Sequence, residues 1–226
     1  MLTIIKRIAA LFGGALLTAN AFANPIGGNV VAGSVSFSQN AGALTIQSSQ
    51  QSSIINWSEF SIAPSESLIF SHPSPSASVL NRVTGGAPTF ISGNISTNGN
   101  LYLINPAGFF FASGSRIEAQ SIVLSTLNMN DADFLTGNLS FENNPASGPI
   151  LFSDFVTLQV GGTISLFSGG TITLGSAPLL GGNLVIQNGG IGNLNLSPVP
   201  EPWTVGMLLA GLGLLGLIAQ FRKHGA

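Results

Sequence analysis

The sequence predicts an all-β fold wound as a solenoid, and three observations carry that prediction. Residues 98–125, NGNLYLINPAGFFFASGSRIEAQSIVLS, alternate short apolar runs with turn residues and show no helical period. Residues 161–180, GGTISLFSGGTITLGSAPLL, and 181–200, GGNLVIQNGGIGNLNLSPVP, read as two copies of one unit. The chain is poor in charge, with 6% Asp, Glu, Lys and Arg, and its 29 glycines suit a chain with many turns.

In the paired units, Gly161-Gly162 matches Gly181-Gly182 and Gly169-Gly170 matches Gly189-Gly190, each 20 residues on. Ile164 then matches Leu184, Leu166 matches Ile186, and Leu174 matches Leu194. Stacked coils of this kind set like residues above like, about 4.8 Å apart, so apolar side chains form inward ladders. Repeat arrays usually need three or more copies, so the upstream coils are expected to be irregular. Short strands and frequent turns fit an antiparallel sandwich as well, and the pattern alone leaves that alternative open.

Taken in order, residues 1–23 carry Lys6 and Arg7, an apolar stretch, and Ala21-Phe22-Ala23. That is the layout of a secretory signal peptide cut between Ala23 and Asn24. Short strands are expected around Val35 and Phe37 and around Leu44 and Ile46, separated by Gln39-Asn40-Ala41-Gly42. Trp57 and Phe60 are expected to anchor a core. Asn98-Gly99 reads as a tight turn of residues that tolerate positive φ. Asn105-Pro106-Ala107-Gly108 places Asn, Pro and Gly at the first, second and fourth positions of a type I turn. Residues 203–221 form an uncharged apolar stretch of roughly 28 Å as a helix, enough to cross a membrane. Arg222 and Lys223 follow, which argues for a cytoplasmic C-terminus and an exported body.

Several function classes are disfavoured by composition. Between Asn24 and Pro198 the basic side chains Arg82 and Arg116 face seven acids, a net charge of −5, so there is no nucleic-acid footprint. No cysteine is present, so no disulfide framework exists. Asp131 and Asp133 lack the Gly and Glu of a calcium loop and are read as a capped, solvated turn, so no metal and no cofactor is predicted. His72 has no matched acid partner for a triad, and scattered acids are a poor supply for a polysaccharide lyase or hydrolase. No catalytic residue is assigned. Arg82 and Arg116 are expected to pair with Glu66 or Glu118 at the surface.

IINWSEFSI (54–62), LNRVTGG (80–86), ISGNISTNGNLYLINPAGFFF (91–111) and STLNMNDADFLTGNLSF (125–141) together resemble the two-partner-secretion (TPS) domain of filamentous-haemagglutinin-type adhesins. The resemblance implies a right-handed parallel β-helix with an N-terminal cap. It also implies recognition by the POTRA domains of an outer-membrane transporter. The family's Asn-Pro-Asn-Gly turn falls on Asn105, Pro106, Ala107 and Gly108, with Ala107 departing from the pattern in a way the turn geometry tolerates. Val199-Pro200-Glu201-Pro202, the apolar helix, Arg222 and Lys223 resemble a PEP-CTERM sorting signal, which implies processing by an exosortase-like enzyme. Trp203 stands where a small residue usually follows the motif.

The resulting expectation is a signal peptide (1–23), a haemagglutinin-like β-helix domain (24–145), further coils (146–198) and a sorting tail (199–226) with a transmembrane helix at 203–221. The tail and the TPS resemblance imply different destinations, so the fold is read as kept and the export route as replaced. The leading functional expectation is a non-catalytic adhesin at the surface or matrix of a Gram-negative bacterium, contacting surface glycan or exopolysaccharide. The alternatives are a structural biofilm-matrix protein without a defined receptor and a carbohydrate-active enzyme.

Overall fold

The computed structural model describes residues 24–142, 147–176, 179–180, 183–188 and 194–196. Two strands come first, β1 (Asn29–Ala32) and β2 (Val35–Asn40). Six coils follow among the described residues, each laid over three faces. The first holds β3 (Ala43–Ser48) and β4 (Ser52–Trp57) and meets the third face at Ile62, which bridges to Ile91. The second holds β5 (Ser67–Ser71), β6 (Ser78–Val83) and β7 (Thr89–Ile91). The third holds β8 (Asn94–Thr97), β9 (Asn100–Ile104) and β10 (Phe109–Phe111). The fourth starts with β11 (Arg116–Ala119) and β12 (Ser121–Ser125). It then makes a detour through β13 (Asn128–Met129), α1 (Asp131–Thr136) and β14 (Phe141–Glu142), and returns as β15 (Ile150–Phe152). The fifth holds β16 (Thr157–Val160), β17 (Thr163–Ser168) and β18 (Ile172–Leu174). The sixth holds β19 (Leu179–Leu180), β20 (Asn183–Asn188) and β21 (Leu194–Leu196).

Strands stack coil on coil into three sheets. Face one runs β2-β3-β5-β8-β11-β16-β19, face two β1-β4-β6-β9-β12-β17-β20, and face three β7-β10-β15-β18-β21. Each pairing between coils is parallel. That result decides for the solenoid and against the sandwich. The two strands before the first coil pair antiparallel, β1 with β4 and β2 with β3. They form a cap, because they pair the outer edges of faces one and two, which would otherwise recruit foreign strands. β2 returns into β3 through Ala41 (φ 43°) and Gly42 (φ 83°), the two positive-φ positions of a tight hairpin turn.

Alternate side chains of each strand point inward. On face one the inward ladder is Leu44, Leu68, Ile95, Ile117 and Leu158. On face two, Val79, Leu101, Ile122 and Ile164 stack in the same way. On face three, the Phe111 and Phe152 rings lie parallel with centroids 4.4 Å apart. Trp57 and Phe60 are buried in the same core and meet edge to face at 5.8 Å. Each fully buried Leu, Ile or Phe adds roughly 1.5–3 kcal/mol, so the ladders are the main stabilising term.

The 20-residue spacing holds on face two, where Ile164 sits beside Leu184 and Leu166 beside Ile186. On face three it fails. Leu174 pairs with Leu196, and Leu194 pairs instead with Ile172, so that offset is 22 residues. Upstream, Ile54 pairs with Leu80 and Val79 with Leu101, offsets of 26 and 22. Corners absorb different lengths while strand register is kept, which hides the earlier coils from a fixed-period search.

The detour corrects two sequence expectations. Asp131 and Asp133 lie in the first turn of α1, a short helix capped by the Asn130 side chain on Ala132 N–H and ended by Gly137 in the left-handed region. Arg82 pairs with Asp131 at 2.6 Å and donates to the Met129 carbonyl, while Arg116 pairs with Glu118 as expected. The outward residues Ile54, Leu80 and Ile104 of face two are apolar and need a cover; Met129 and Phe134 supply it. Where the detour leaves and rejoins the coil, the buried hydroxyls of Thr126, Ser147 and Ser168 bond one another.

The segments expected as signal peptide (1–23) and membrane helix (203–221) lie outside the described residues. Among the described residues, no helix is long and apolar enough to cross a membrane.

Candidate functional site

The turn at Asn105–Gly108 joins β9 to β10. Gly108 N–H donates to the Asn105 carbonyl at 3.0 Å, closing the expected four-residue turn. The Asn105 side chain is buried. Its oxygen accepts from Ala107 N–H at 2.9 Å, and its amide nitrogen donates to the Ala87 carbonyl and to Thr89 Oγ1. Gly108 has φ 108°, and a Cβ there would lie 2.7 Å from the Pro149 carbonyl oxygen. Coil neighbours also clamp the backbone, since Gly108 accepts from Thr89 N–H and Pro106 from Gly148 N–H. Asn105 and Gly108 therefore hold coils together, and only Pro106 and Ala107 are part-exposed in this turn.

Of the other singled-out residues, Asn24 is buried at the start of the described chain. Ala21, Ala23, Val199, Pro200, Glu201, Pro202, Arg222 and Lys223 lie outside the described residues. Asn98-Gly99 adopts no positive φ. Instead Asn98 accepts from His72 N–H at 2.7 Å and donates to the His72 carbonyl at 2.9 Å. Gly99 is needed for closeness, because a Cβ would meet the Ala77 carbonyl oxygen at 2.6 Å and the His72 ring at 2.8 Å. His72 is buried and lies parallel to Phe70, and desolvation pushes its imidazole below the ordinary histidine range. Glu66 is buried and accepts from Ala63 N–H, so it closes a corner and is not the surface partner expected for an arginine.

A second feature was not legible as a site in the sequence. Where face one turns into face two, a trough of about 550 Å³ is lined by Thr97, Asn98, Glu118, Gln120 and Gln159 over Ala119, Val160 and Gly161. A neighbouring hollow of about 400 Å³ shares Thr97 and Asn98 and continues to Ile69 and Ser71. The outward positions Ile69, Ser96, Glu118 and Gln159 are in register across four coils. Alternation along β8 and β11 marks these side chains as outward, but only coil stacking brings residues tens of positions apart into one row.

Comparison with known proteins matches this architecture. The TPS secretion domain model covers residues 21–197, and the PEP-CTERM protein-sorting motif covers residues 198–223. The chain is 31% identical over 102 residues to a heme/hemopexin-binding protein of Haemophilus influenzae, covering 45% of this chain and 11% of that protein. A second heme/hemopexin-binding protein of the same species is 31% identical over 86 residues, or 38% of this chain and 9% of that one. The chain thus spans about a tenth of the length of these relatives. Among solved structures, the HMW1 secretion domain from Haemophilus influenzae aligns with a TM-score of 0.59 at 25% identity, over 66% of this chain and 42% of that one. With the capped solenoid, the clamped Asn105–Gly108 turn and a family match over most of its length, the chain belongs to the TPS secretion domain family and carries a PEP-CTERM sorting motif.

Proposed function

We propose that this chain is an exported, non-catalytic, adhesin-like solenoid that contacts carbohydrate through side chains on its outward faces. The observation that carries this reading is the outward side of face one, where hydroxyl and carboxamide groups recur on successive coils of a secretion-domain scaffold. The acids support it, since most serve structure. Asp131 pairs with Arg82, Asp133 accepts from Asn138, Asp154 accepts from Ser176, and Glu118 pairs with Arg116. Haem is not carried over from the relatives, because His72, the sole histidine among the described residues, is buried.

In this reading the mature chain starts at Asn24, domain 24–145 continues into coils 146–198, and the tail 199–226 holds the protein in the membrane until an exosortase-type enzyme acts near Glu201. Arg222 and Lys223 stay on the cytoplasmic side. An outer-membrane partner would meet the turn at Pro106 and Ala107, since Asn105 and Gly108 are engaged internally. The coils wind right-handedly, as parallel crossovers do.

Three measurements test the proposal. Mass spectrometry of the cell-associated and released protein should find a new N-terminus at Asn24 and a C-terminus near residues 201–203. An intact Met1 would overturn the first, and an intact Ala226 in every fraction the second. A glycan array should give discrete hits. An array without hits would favour the matrix protein, and polymer cleavage by the purified chain would overturn the non-catalytic reading.

A further inference from the structure

We infer that the trough between faces one and two is a binding site for an extended, neutral polysaccharide segment; this rests on the carbohydrate reading above and gives it a place and a ligand class. Its length comes from the coils. Ile69, Ser96, Glu118 and Gln159 lie one per coil on four successive coils, and three coil steps span roughly 14 Å. An occupant that meets all four is an extended chain.

Side-chain chemistry selects the class. Gln120 presents a carboxamide that both donates and accepts, the Thr97 hydroxyl keeps its hydrogen beyond the bond it accepts from Gly99 N–H, and Gln159 keeps its amide N–H groups beyond the bond its oxygen accepts from Arg116, a set that matches sugar hydroxyls; Asn98, tied at both ends to the His72 backbone, shapes the wall. Ile69, 38% exposed, supplies an apolar shelf at one end for the C–H face of a pyranose ring. Gly161 keeps the floor low. A Cβ there would stand 3.3 Å from the Gln120 carboxamide oxygen, so a larger residue would crowd the side chain that reaches over it.

Charge and backbone pairing exclude the nearest rivals. The Arg116 guanidinium is held by Glu118 and by Gln159 Oε1, so it is already committed and offers little to a polyanion. A peptide joining as an added strand needs free backbone groups. Here β8 and β11 are paired on both sides, β8 with β5 and β11, and β11 with β8 and β16. The trough lies on a sheet face and has no open edge, so recognition there is by side chains alone.

The test uses the full-length protein and titration calorimetry with cellohexaose, mannohexaose and a galacturonate oligomer. The wild type should bind at least one neutral oligomer and bind the galacturonate more weakly. The double variant Gln120→Ala, Gln159→Ala should lose about tenfold or more in affinity with an unchanged circular dichroism spectrum, since both side chains are exposed. Gly161→Phe, which fills the floor, should lose binding too, and Thr173→Ala on face three should bind as the wild type does. Neutral-glycan binding that survives both trough changes would overturn the site while leaving the carbohydrate reading intact. Preference for the galacturonate would overturn the ligand class. A wild type that binds no oligomer here and gives no hit on the glycan array would end both.

Discussion

Asn105 shows how one buried amide serves two coils. It donates to Ala87 and Thr89 on one side and accepts from Ala107 within its own turn. Asn105→Ala should cost about 2–3 kcal/mol, because buried partners are left unpaired. Asn105→Asp should be no better, since a carboxylate accepts but cannot donate; urea midpoints equal to wild type would refute this. Phe155 makes the opposite case. It is 73% exposed with φ 62°, in a corner whose counterpart one coil earlier holds Gly114 at φ 83°. Phe155→Gly should raise stability by about 0.5–1 kcal/mol, the left-handed strain less the added freedom of glycine. A lower melting temperature would contradict that account. His72 carries a pH dependence. Its folded value lies below the ordinary 6.5, so the unfolded chain takes up the proton first. Stability is then complete above about pH 6.5 and falls as the pH drops toward the folded value. His72→Leu should flatten this slope in urea titrations between about pH 7.5 and 5. Parallel slopes would show that the imidazole is not responsible.

At the scale of elements, the detour between β12 and β15 decides whether face two can remain apolar on its outer side. Phe134 meets Tyr102 edge to face at 5.1 Å, and Phe141 stacks on Phe167 at 4.2 Å. Phe134→Ala should cost about 3 kcal/mol and expose Ile54, Leu80 and Ile104, seen as increased binding of a hydrophobic dye. A loss under about 1 kcal/mol would mean that the detour merely rests on the sheet. Little in the linear sequence points to this cover. α1 has six residues, too few to show a helical period, and its acids mimic a polar turn. Its N-cap, Asn130, and its C-terminal Gly137 were the available signals. The Arg82–Asp131 pair is hidden in the sequence for a related reason: Asp131 comes within 2.6 Å only once the detour folds back over face two.

For the whole molecule, the first coil needs its outer strand edges closed. The cap strands β1 and β2 close the first coil by antiparallel pairing. A chain lacking residues 24–40 should expose the edges of β3 and β4 and associate, which light scattering would detect as species above monomer mass. A stable monomer would show that the cap is dispensable.

The sequence by itself determined that the fold is all-β and pointed to a solenoid, and the parallel pairing of coils then decided against a sandwich. Turn residues between short apolar runs, inward alternation, and the Gly-punctuated repeat at 161–200 are local signals, and local signals survive without knowledge of neighbours. Family membership was likewise readable, because motifs such as Asn105–Gly108 are contiguous in the chain and serve its own backbone. Only the tertiary structure decided the pairing of coils, with offsets of 20, 22 and 26 residues, and hence which outward side chains share a row. Corners of unequal length cost the chain little while the inward ladders hold each strand in place. The trough therefore emerges from register between coils, a relation that no stretch of linear sequence contains.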